Sequence, residues 1–187
     1  MRKIIAIAVF ISALNIASAQ KLRLGLRLAP SLAWLKSNTS GVDSDGSNMG
    51  FSYGVITDYN FADNYAIGTG IDISYKGGAL KAPGINAVKY ELQYLEIPLT
   101  LKMKTNAIGS FIYYGQFGFA GNFNLKSNED INPIGVSMII GAGIEIPITG
   151  KTALTGGLFF NNGFTDIIKG EGKAISNYLG LNIGILF

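Results

Sequence analysis

The chain has 187 residues with no cysteine and no histidine, which excludes disulfides, thiolate metal sites, a lipidated N-terminal cysteine and any Ser-His-Asp or histidine-ligated metal centre. Charged residues make up 14% of the chain and glycines number 25, whereas an ordinary soluble domain carries about 25% charge. Lys and Arg total 15 against 12 Asp and Glu, and without Arg2 and Lys3 the totals become 13 and 12, too even a balance for a nucleic-acid partner.

Arg2 and Lys3 form a basic start, and Ile4 to Ile16 is apolar except for Ser12 and Asn15. Ala17-Ser18-Ala19 then precedes Gln20 as an A-x-A site. Residues 1–19 therefore read as a cleaved secretory signal peptide, shorter than the ~20 residues of a spanning helix. An uncleaved anchor helix is the alternative. Residues 20–187 form one domain, with no later apolar run of ~18 residues to cross as a helix.

Eight strands follow, at 22–35, 50–61, 65–77, 87–103, 110–125, 133–148, 152–164 and 176–187. Each is long enough for a tilted crossing, which takes ~9–11 residues. Along the first, Leu22, Leu24, Leu26, Leu28, Pro30, Leu32 and Trp34 share a face. Phe51 to Phe61 and Tyr65 to Tyr75 alternate likewise, as do Leu179, Leu181, Ile183, Ile185 and Phe187 at the end. This face is uncharged throughout, while the other holds Gly, Ala, Ser, Asn and ten charged residues, five of each sign. In the fourth strand Tyr90, Leu92 and Tyr94 are out of phase with Leu95, Ile97, Leu99 and Leu101, which predicts a β-bulge near Tyr94-Leu95.

The connections alternate in length. Ala62-Asp63-Asn64, Lys104 to Gly109 and Thr149-Gly150-Lys151 are short; Lys36 to Met49 and Thr165 to Ile175 are longer, polar and expected to be wet and mobile. Short periplasmic turns and longer external loops mark outer-membrane barrels. Aromatics gather in two bands: Trp34, Phe51, Tyr75, Tyr90, Phe123 and Phe164 toward the external side, and Tyr59, Phe61, Tyr65, Phe111, Tyr113 and Phe187 toward the periplasm, as interfacial girdles do.

Alternation alone leaves open a soluble, lipocalin-like periplasmic carrier with the apolar face as its core. Volume and charge decide against it. The apolar face has too much bulk for a narrow interior, whereas glycines and alanines such as Gly25, Ala29, Gly143 and Gly180 fit one. The fold class is an all-β, eight-stranded antiparallel up-and-down transmembrane β-barrel, placed in the bacterial outer membrane with lipid on its apolar face.

The candidate site is the barrel-interior charge network of Arg23, Arg27, Asp58, Asp72, Lys76, Lys89, Glu91, Glu96, Lys102 and Glu145. If Trp34 pairs with Phe51, Arg27 falls opposite Asp58. Buried charge is costly unless paired, so balanced signs suit a filled, plugged barrel. A narrow porin-like path for ions or small solutes is the alternative. Glu91 and Glu96 flank the expected bulge and could in principle act as a carboxylate pair, but salt bridges are the simpler use. No catalytic, metal or cofactor residue is assigned. Gly170-Glu171-Gly172-Lys173 lacks the rest of a phosphate loop, and Asp43 to Asn48 lacks the closing Glu of a calcium loop. Asn38-Thr39-Ser40 fits a glycosylation acceptor that says little in a bacterial chain.

Tyr94-Leu95-Glu96-Ile97-Pro98-Leu99 with Lys102, and Gly25-Leu26-Arg27-Leu28-Ala29-Pro30, resemble the PorT-type family of small bacterial outer-membrane β-barrel proteins. The terminal Leu181 to Phe187 looks like the C-terminal strand signal read by the barrel assembly machinery, with Phe187 as its last aromatic. The resemblance implies location and fold and carries no catalytic residues. One branch of that family is linked to a secretion and gliding apparatus. The implied partners are outer-membrane lipid, the assembly machinery, and envelope or secretion-apparatus proteins reached through the external loops.

Overall fold

The computed structural model describes residues 21–37, 41–81, 84, 86–126, 130–150, 152–169 and 174–187. The expected signal peptide at 1–19, Asn38-Thr39-Ser40 and Gly170 to Lys173 lie outside the described residues. The strands are β1 (Leu22–Ser37), β2 (Asp43–Ala62), β3 (Tyr65–Lys81), β4 (Val88–Lys104), β5 (Ile112–Asn124), β6 (Ile134–Thr149), β7 (Thr152–Gly163) and β8 (Ala174–Leu186). Each pairs antiparallel with the next, and β1 with β8 closes the ring, with Leu26 opposite Ile185 and Leu32 opposite Leu179. Closure leaves no sheet edge with unpaired backbone groups, which hydrocarbon could not satisfy.

The period of two decides which way side chains point. Leu24, Leu26, Leu28 and Leu32 on β1 stand outward and about half exposed, while Ala29 and Ala33 on the other face are fully buried. The apolar face is thus the outside of the barrel. A soluble carrier needs that face as its core and does not fit this fold. Interior glycines make room for rings: a Cβ on Gly143 would lie 2.6 Å from the Tyr114 hydroxyl, and one on Gly180 would lie 2.5 Å from the Phe159 ring.

Three expectations are corrected. First, β4 has no bulge at Tyr94-Leu95. Its pairing with β3 keeps one register from Tyr65 opposite Met103 to Leu80 opposite Val88, through Ser74 opposite Tyr94 and Ile73 opposite Leu95. Leu92 and Tyr94 point inward and are buried. The assumption at fault was that every apolar residue faces lipid, whereas the outer end of the interior is itself apolar. Tyr90 packs against that apolar interior and leaves the girdle.

Second, the first hairpin is set four residues away from the predicted pairing. Arg23, not Arg27, lies opposite Asp58, and Arg27 lies opposite Gly54. Trp34 stacks on Phe160 of β7, with ring centroids 6.0 Å apart. Third, most of the expected loop Lys36 to Met49 is strand. Asp43 pairs with Lys81, Ser44 with Leu80 and Asn48 with Ala33. The ladder is irregular between Ser44 and Phe51, with Gly46 at φ +88°, a conformation that glycine tolerates. Asp43 to Ser47 are exposed and polar on both faces, so the alternation that identifies a strand is lost there.

Candidate functional site

The inner face of the barrel is built from three levels stacked along its axis. At the level nearest the short turns, β1 supplies Arg23, β2 Asp58, β4 Lys102 and Lys104, and β6 Glu145. Arg23 donates to Glu145 at 2.8 Å and to Asp58 at 3.3 Å. Lys102 Nζ lies 2.9 Å from Asp58 and 2.6 Å from Glu145, and Lys104 Nζ lies 3.5 and 3.3 Å from the same two carboxylates. The Lys102 ammonium also sits 4.3 Å from the centre of the Tyr114 ring, a face that attracts cations. Tyr114 in turn accepts at its hydroxyl from Asn182 Nδ2 at 3.3 Å.

The middle level has two pairs. Arg27 holds Asp72 through Nε and a terminal nitrogen, the bidentate fork that guanidinium geometry favours. Lys76 holds Glu96 at 2.5 Å, and the Tyr178 hydroxyl donates to Glu96 at 2.8 Å. Lys76 Nζ lies 4.5 Å from the Tyr178 ring and 4.9 Å from the Tyr94 ring. Phe159 and Tyr178 meet edge to face at 5.7 Å. Across both levels, five cations face four carboxylates, and every one has an opposite partner. That pairing offsets the desolvation cost of burying them.

The outer level is apolar. Leu35, Leu80, Leu92, Tyr94, Ile131, Ile167 and Ala174 form a buried cluster, with Val42, Tyr90 and Ile168 against it. Ile131 and Ile167 come from the β5–β6 and β7–β8 connections, which are stitched together. Asn132 N donates to Ile167 O at 2.8 Å, Lys169 N to Asp130 O at 2.9 Å, and Asn132 Nδ2 to Asp166 O at 2.8 Å. Within the expected wet loop Thr165 to Ile175, Ile167 therefore turns inward: its backbone is hydrogen-bonded to Asn132 and Ala174, and its side chain packs in the apolar cluster. A cavity of only about 20 Å³ lies between the cap and Lys76, and one of about 40 Å³ lies among the charges, lined by Arg27, Asp58 and Lys102.

Of the ten charged residues expected inside, Arg23, Arg27, Asp58, Asp72, Lys76, Glu96, Lys102 and Glu145 lie in these two levels. Lys89 and Glu91 do not. The constant register of β4 turns both outward, where Glu91 pairs with Lys126 at 3.3 Å with its side chain 87% exposed. Glu91 and Glu96 therefore stand on opposite faces and form no carboxylate pair. Lys104 was read as the start of a turn, yet it continues the inward parity of Thr100 and Lys102. That parity was the available signal, and it identifies Tyr114 and Tyr178 as inward rings too. Among the described residues, no group of three or more acidic side chains is placed to hold a metal ion, and Asp43 to Ser47 is exposed strand.

A family model described as outer membrane protein beta-barrel domain matches residues 18–169. Two solved structures are similar. OprG of Pseudomonas aeruginosa is 14% identical, with 89% of this chain and 94% of that one covered and a TM-score of 0.59. Neisserial surface protein A is 15% identical, with 88% and 97% covered and a TM-score of 0.55. At those identities the similarity shows the fold. No curated protein matches the sequence.

Proposed function

The chain belongs to the outer membrane protein beta-barrel domain family, and from that membership we propose that it acts as a closed, non-catalytic barrel, a structural or interaction component of the bacterial envelope. The observation that carries this reading is the filled interior: two levels of mutually paired charge under an apolar cap. An eight-stranded barrel is just wide enough for side chains to fill. Glu96 and Glu145 are engaged by Lys76, Tyr178, Lys102 and Arg23, so neither is free to act on a substrate.

The outer rim is the surface left for a partner. A recess of about 690 Å³ there is lined by Met49, Phe51, Tyr75, Tyr90, Glu91 and Lys126, among others. The PorT-type resemblance of Tyr94 to Leu99 gives the partner a class, an envelope or secretion-apparatus protein. Phe187, half exposed on the outward face and tied by its N–H to Leu24 O at 2.6 Å, is the residue offered to the assembly machinery.

Planar-bilayer recording tests the plugged reading. The purified barrel is expected to give no steady single-channel current. Steady conductance that changes with Glu96→Gln or Arg27→Ala would replace this reading with a narrow channel for ions or small solutes.

A further inference from the structure

Just below the apolar cap, the buried polar atoms do not balance. Asn161 is fully buried, and neither its Nδ2 nor its Oδ1 has a hydrogen-bond partner among the described protein groups. Ser176 Oγ and Asn122 Oδ1 are also buried and unpartnered. These three residues come from β7, β8 and β5, yet all line the same cavity of about 20 Å³. A lone unpaired buried atom is rare, and four converging on one space point to a ligand that supplies their hydrogen bonds.

We infer that this cavity is a binding site for a neutral, hydrogen-bonding molecule of water size, and that Ile167 is its roof. Space of about 20 Å³ admits about one water, which needs two to four polar partners. Asn161 offers both a donor and an acceptor, Ser176 a hydroxyl, and Asn122 an acceptor. A free cation is disfavoured because the Lys76 ammonium lines the same space. A free anion has no net positive charge to answer, since Lys76 is held by Glu96. Ile167 lines the cavity and also belongs to the apolar cluster above it, as does Tyr94. A side chain carried on the β7–β8 connection thus covers the bound water on the side of the apolar cluster. The interior then has a hydrated chamber between its charged floor and its dry lid.

Water-to-amide magnetisation transfer in the whole, asparagine-labelled barrel in lipid nanodiscs tests the site. The Asn161 side-chain amide, identified by its loss in Asn161→Ala, should show a cross-peak to a long-lived water. Asn161→Leu, which fills the chamber with hydrocarbon, should abolish the corresponding cross-peak at the Asn122 amide. Ile167→Ala should speed hydrogen exchange at Asn161 several-fold, and Ile131→Ala, which thins the same cap, serves if that variant does not fold. A dispersed spectrum of a folded barrel with no water contact at Asn161 would overturn the site. Unchanged exchange in the folded cap variant would overturn the roof.

Discussion

Arginine in place of Leu26 is expected to cost about 2–4 kcal/mol of folding stability in a bilayer, the range for a cation on the lipid face near the midplane. Leu26 is 56% exposed and lies between Val55 of β2 and Ile185 of β8 in a belt without charge. In water, an exposed leucine replaced by arginine would change stability by no more than about 0.5 kcal/mol. The solvent on that face therefore sets the size of the effect. Met49, 83% exposed in the outer part of β2, gives the depth control, because the same substitution near an interface costs about 0–1 kcal/mol. Urea titration of folding into phosphocholine vesicles, read by heat-modifiable gel mobility, measures both. Equal and negligible costs at the two positions would contradict lipid contact.

Glu145→Ala is expected to destabilise the barrel by about 3–5 kcal/mol, the cost of leaving a buried charge without its partner. Glu145 is 1% exposed and is shared by Arg23, Lys102 and Lys104. Its loss leaves three cations around Asp58 alone. The penalty comes from the unmatched charge, so removing one cation should restore part of it. Glu145→Ala combined with Lys104→Met should be more stable than Glu145→Ala in the same urea titration. A double variant no better than the single would mean that Glu145 acts through packing rather than charge.

The strand number, the outward face and the up-and-down order were legible because a period of two with one uncharged face is a strong pattern over long strands. Register was not. Pairing Trp34 with Phe51 misplaced the first hairpin by four residues, since an even shift keeps every side chain on its own face and leaves the pattern unchanged. The interior charges on β1, β2, β3 and β6 were legible from parity alone. Their partners were not, because Arg27 reaches Asp72 two strands away and Arg23 reaches Glu145 across the barrel. Lys89 and Glu91 were misplaced for one reason: Leu92 and Tyr94 were taken as lipid-facing when they belong to the inner cap. A barrel that is polar in its lower interior and apolar at its mouth has no single inside composition, and sequence patterning presumes one.

Trp34 is the chain's only tryptophan, it sits on the outer face of β1 against Phe160, and its fluorescence reports directly on what touches that face. With the barrel folded in vesicles, phospholipids brominated near the top of the acyl chains should quench Trp34 strongly, while aqueous iodide should quench it weakly. Strong iodide quenching with no effect of brominated lipid would contradict the placement of the apolar face against hydrocarbon.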